Sequence, residues 1–153
     1  MTDRVLRAPR RYETSLDRAG LALGVGSVLG GGVVLALFYA GGMREPMALA
    51  IAWIAGSLFV GLGITAVAGP LWLVLHVAGL RRARHAALVG ALSVMAVFVG
   101  AQTWGFGLFT MPAMDSRTLL MRWVSAVATS GILAVAAAFI SLVMWRIAYR
   151  RER

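Results

Sequence analysis

Four stretches of this 153-residue chain run on with almost no charge, each long enough to cross a lipid bilayer. A hydrocarbon core about 30 Å thick needs roughly 20 apolar residues in helical form. The stretches cover 19–42, 47–80, 86–111 and 119–145, with Arg122 as the one early charge in the fourth. They predict an all-α, polytopic membrane protein: a four-transmembrane-helix bundle forming one domain over 1–153. Basic tails at 1–18 and 146–153 flank the spans.

Composition supports the same reading. Apolar residues make up 60% of the chain and charged residues 14%, far from a soluble domain with about a quarter charged. The net charge of +9 does not imply disorder, because so apolar a chain cannot stay solvated. Cys, Lys and Asn are absent. Without Cys there is no disulfide, thiolate metal site, iron–sulfur cluster or covalent haem link. All fifteen basic residues are Arg, which reads as a compositional bias, not a nucleic-acid-binding surface.

The joints between spans are short. Met43-Arg44-Glu45-Pro46 closes the first hairpin, with Pro46 suited to a first helical position. Residues 112–118 close the second, with Asp115 or Ser116 available as an N-cap. Such joints make consecutive spans antiparallel neighbours.

Orientation follows from the arginines, since basic residues are retained on the cytoplasmic side. Twelve lie on one side, in the amino-terminal tail, at Arg81, Arg82 and Arg84, and in the carboxy-terminal tail; only Arg44, Arg117 and Arg122 lie on the other. Both termini are therefore expected in the cytoplasm, in a multi-pass inner-membrane protein. The first run is too long for a signal-peptide core and reads as an uncleaved span. Trp53 and Trp72 are nineteen residues apart and Trp123 and Trp145 twenty-two, about 29 and 33 Å along a helix. That spacing suggests an outer aromatic belt of Tyr39, Trp53, Trp104 and Trp123, and an inner one of Trp72, Trp145 and Tyr149.

The second run, at thirty-four residues, would be about 51 Å as a straight helix. A bend is expected near Pro70, whose ring removes one backbone bond and frees the carbonyl of Ala66. Sliding 11–83 over 81–153 pairs Trp53 with Trp123 and Gly61 with Gly131, yet the identities stay near chance for this composition. No internal repeat is read.

Candidate chemistry is sparse. All six acids, Asp3, Glu13, Asp17, Glu45, Asp115 and Glu152, lie in tails or joints, so no carboxylate serves proton coupling at depth. His76 and His85 are the only histidines and read as interfacial side chains, with no further ligands to complete a metal or haem site. No nucleophile elbow occurs. The chain is expected to be no enzyme and to hold no cofactor or metal.

What remains are contact surfaces. Gly20, Gly24, Gly26 and Gly30 in the first span, Ala52 and Gly56 in the second, and Ser130 and Ala134 in the fourth fall at four-residue spacings that let helices approach closely. Arg81, Arg82, Arg84, His85, Arg146 and Arg150 form a basic cluster suited to anionic lipid headgroups or a partner. Gln102 and Thr103 are candidates for a polar lining, although interhelical hydrogen bonding is the commoner use of such residues. The expected function is that of a non-enzymatic accessory or structural subunit acting through helix–helix and lipid contacts, as a homo-oligomer or in a larger membrane complex. The alternative is a small oligomeric channel, carrier or flippase built around Ser57, Thr65, Gln102 and Thr103. A redox subunit is a weaker third reading.

Overall fold

The computed structural model describes residues 12–13, 15–80, 82–105 and 115–151. Its helices are α1 (Leu16–Ala40), α2 (Pro46–Gly63), α3 (Gly69–Val77), α4 (Ala83–Trp104) and α5 (Ser116–Ala148). A wide π turn, Ile64–Ala68, joins α2 to α3. Four helical segments are long and apolar enough to cross a membrane: Leu16–Ala40, Pro46–Val77, Ala83–Thr103 and Ser116–Ala148.

Helix ends follow local chemistry. The Ser15 side chain accepts from the Arg18 backbone N–H to cap α1, and Asp115, not Ser116, caps α5 by accepting from Thr118 N–H at 3.4 Å. Pro46 occupies the first turn of α2. Helices α1 and α3 stop in the same way, with Gly42 and Gly79 in the left-handed region at φ of 97° and 74°. In each case the following residue reaches back five positions, Met43 N–H to Phe38 O and Leu80 N–H to Leu75 O. These paired bonds satisfy carbonyls that the helix ends would otherwise leave open.

The irregularity in the second span lies in the turn before Pro70. Proline has no N–H to offer, and the chain widens so that Gly69 N–H donates to Ile64 O, five residues back. Thr65 Oγ1 donates to Gly61 O at 2.8 Å within the same stretch. Eighteen residues of α2 rise about 27 Å before the wide turn, close to the thickness of a hydrocarbon layer.

Helices α1 and α2 form one closely packed hairpin, α4 and α5 another, and α1 packs on α5 to join them. Helix α2 makes no substantial contact with α4 or α5. Two short strands, β1 (Tyr12–Glu13) and β2 (Arg150–Arg151), pair antiparallel, bringing both tails to one end of the bundle. That end, which also carries the turn before α4, is called the terminal end below. The expected all-α architecture thus gains one short ladder outside the spans.

The packing inverts that of a soluble protein. Inward positions are small, with Ala22, Gly26, Gly30 and Gly31 on α1, Gly56 on α2, and Ala126, Ser130 and Ala134 on α5 all buried. Large apolar side chains such as Leu58, Leu62, Val77, Ile132, Val135 and Phe139 point outward. In lipid there is no hydrophobic gain from hiding leucines, so close backbone approach and dispersion hold the helices together.

Candidate functional site

The α1–α2 hairpin closes on glycine. A Cβ at Gly31 would sit 2.7 Å from the Trp53 carbonyl oxygen and 2.8 Å from the Ser57 nitrogen, both backbone atoms, and would also meet Ser57 Oγ. Gly30 faces Val60, Gly56 faces Val34, and Gly26 faces Met144 across the α1–α5 seam. Trp53 Nε1 donates to Val28 O at 3.3 Å across the first hairpin, so this indole also ties helices together. Gly20 and Gly24 correct the expected packing stripe: a Cβ at either would meet nothing within 4 Å. Their spacing matches that of Gly26 and Gly30, but their faces point away from the neighbouring helices. Gly31, which four-residue spacing does not select, makes one of the closest approaches. Ala52 is half-buried.

The second hairpin closes on a polar clasp. Thr129 Oγ1 donates to Gln102 Oε1 at 3.1 Å, Gln102 Nε2 donates to Ser130 Oγ at 3.5 Å, and Arg122 Nε donates to the Gln102 backbone carbonyl at 2.9 Å. Thr103 is buried, and its hydroxyl donates back to Val99 O at 2.6 Å. Gln102 and Thr103 therefore lie in the α4–α5 seam. The polar groups of this seam thus find partners in one another and in the backbone, as expected where water supplies none.

At the terminal end, four rings interlock. Trp72 and His76 are one turn apart on α3, and Trp145 and Tyr149 are one turn apart at the end of α5. His76 Nδ1 and the Tyr149 hydroxyl are hydrogen-bonded at 2.9 Å, and their rings stack with centroids 6.1 Å apart. Trp72 lies 5.2 Å from His76 and Trp145 lies 5.8 Å from Tyr149. Tyr149 is 6% exposed and packs with Ala22 and Ala148. His76 is thus a tie between α3 and the end of α5, where the sequence suggested only an interfacial side chain. The i, i+4 spacing of both ring pairs was a usable signal; that they face each other was not visible.

The basic cluster occupies the same end. Arg82, Arg84 and Arg146 are exposed, and His85 Nδ1 donates to Leu80 O at 3.1 Å. Arg81 lies outside the described residues, and Arg150 is described by its backbone pairing with Glu13. At the opposite end Arg44 lies 3.8 Å above the Tyr39 ring and donates to the carbonyls of Tyr39 and Met43.

Between the hairpins, where α2 stands away from α4, is a cavity of about 680 Å³. All four spans contribute to its wall. It begins at Trp72, Trp145 and Tyr149 and extends past Ser93 to Val34 and Phe98. No carboxylate, guanidinium or imidazole lines it. The Ser93 hydroxyl on its wall is buried and has no hydrogen-bond partner among the described residues. A cavity of this volume falls in the range of small-molecule sites, about 300–1,000 Å³. Its lining offers an apolar occupant contact area and an ion nothing. Among the described residues no three His, Asp or Glu side chains converge.

Comparison with protein-family models, curated proteins and solved structures finds no match for this chain.

Proposed function

We propose that this chain is a non-enzymatic inner-membrane protein, with both termini in the cytoplasm, that works through helix–helix and lipid contacts as an accessory subunit or homo-oligomer. One observation carries the reading. Gln102, Thr129 and Arg122 are engaged in holding α4 to α5, while broad apolar faces on α2, α3 and α5 remain outward. An acid–base or solute-conducting mechanism would need such groups turned toward a substrate path. The twelve-to-three arginine asymmetry supports the orientation.

Affinity purification from native membranes in mild detergent tests the proposal. A stable homo-oligomer or a co-purifying larger assembly is the expected result. Recovery solely as a monomer, without any partner, would overturn it.

A further inference from the structure

We propose that the cavity between the hairpins binds a single membrane amphiphile, a long hydrocarbon chain ending in a phosphate headgroup held at the terminal end. This goes beyond a subunit role, and rests only on the helices crossing the bilayer.

Shape is the first argument. On α1 the lining runs from Ala19 to Leu37, eighteen rises of 1.5 Å or about 27 Å, close to the full hydrocarbon depth. On α5 it runs from Leu133 to Tyr149. The space is therefore long in the direction in which lipid chains lie. Empty, its walls would lack dispersion partners along that length, and water would find almost no hydrogen bonds there. The separation of α2 from α4 provides a lateral way in from the surrounding lipid.

Charge supplies the polarity. At the terminal end exposed Arg82 stands one turn before the lining residue Ala86, and half-buried Arg18, in the first turn of α1, stands one turn before the lining residue Ala22, with Asp17 beside it as the opposing charge. Guanidinium groups bind phosphate oxygens in bidentate fashion and retain their charge at any working pH. Trp72, Trp145 and Tyr149 line the cavity just inside this cluster, at the level where aromatic side chains meet headgroups. The other end sets Arg44, Arg117 and Arg122 against Glu45 and Asp115 and carries no such excess.

The experiment uses the full chain in liposomes of phosphatidylcholine doped with phosphatidylglycerol bearing a photoactivatable acyl chain, with cross-links mapped by mass spectrometry. Cross-links are expected at cavity residues such as Val34, Val97 and Ile140 as well as on outward faces such as Val135 and Phe139. Ser93→Phe, which fills the cavity, should cut the cavity cross-links at least tenfold and spare the outward ones. If Ser93→Phe loses its helical circular dichroism, Val97→Trp serves as the second filler. Arg18→Gln with Arg82→Gln should remove the preference for the anionic probe over a phosphatidylcholine probe. A parallel arm with a photoactivatable polyprenyl phosphate identifies the source. Labelling confined to outward faces with both probes, or cavity labelling unchanged by either filler, would overturn the proposal. Neither result bears on partner recovery, so failure here is distinct from failure of the subunit reading.

Discussion

His76 on α3 and Tyr149 at the end of α5 are 73 residues apart in sequence and 2.9 Å apart in space, joined by a hydrogen bond between Nδ1 and the phenolic hydroxyl. The bond ties the segment after the wide turn to the end of the last helix, beside the contact of Trp72 with Tyr149. Tyr149→Phe keeps the ring stack and removes the bond. A double-mutant cycle with His76→Phe should give a coupling of about 0.6–1.7 kcal/mol, the span measured for side-chain bonds within membranes. Unfolding in mixed micelles is the readout, and zero coupling would contradict this role.

Two glycines on one helix should respond oppositely to the same methyl group. At Gly31 a Cβ collides with the backbone of Trp53 and Ser57, which cannot step aside as a side chain would. Gly31→Ala should therefore destabilise the protein by about 1–3 kcal/mol. At Gly24 the Cβ meets open space, so Gly24→Ala should be neutral or stabilise by up to about 1 kcal/mol through helix propensity. Equal effects in a denaturant titration would refute the assigned helix faces.

Gln102→Leu tests the clasp. It removes the side-chain bonds to Thr129 and Ser130 but leaves the Arg122 bond to the backbone carbonyl. A loss of about 1 kcal/mol in stability is expected, with liposome permeability unchanged. A change in flux without a change in stability would point to a lining role after all.

Asp115 couples the start of α5 to pH. Hydrogen bonding from Thr118 holds its carboxyl below the ordinary 3.8, since the charged form is the better acceptor. A folded pKa below the unfolded one means the cap contributes fully above about 4 and is lost as pH falls through the lowered value. Amide exchange in the first turn of α5 should quicken on acidification through that window, and Asp115→Asn should remove the dependence. A first turn whose exchange protection ignores pH from 5 to 2 would contradict the cap.

Much of the architecture is legible from residue order. The four spans, the joints, Pro46 at the start of α2 and Asp115 as a cap follow from local rules that involve only near neighbours. The bend near Pro70 was legible in location, while its form was not: a proline states that a bond is missing, and the packed chain settles how the loss is absorbed, here by Gly69 donating to Ile64. Spacing also proposed Gly20 and Gly24 as packing residues. It misled because in a glycine- and alanine-rich chain every face shows small residues every fourth position, and only the neighbouring helix selects one of them.

The sequence by itself determined that this chain forms four apolar helical segments with charge confined to their ends, because the cost of an unsatisfied or ionised group in hydrocarbon leaves no other arrangement. Only the tertiary structure decided that α2 stands off from α4, that His76 reaches Tyr149, that Gln102 is engaged within a seam, and that a long apolar cavity with one unmet hydroxyl runs between the hairpins. Those are relations between residues tens of positions apart. The weak, short-range packing forces that act between helices in lipid leave no periodic mark on the sequence.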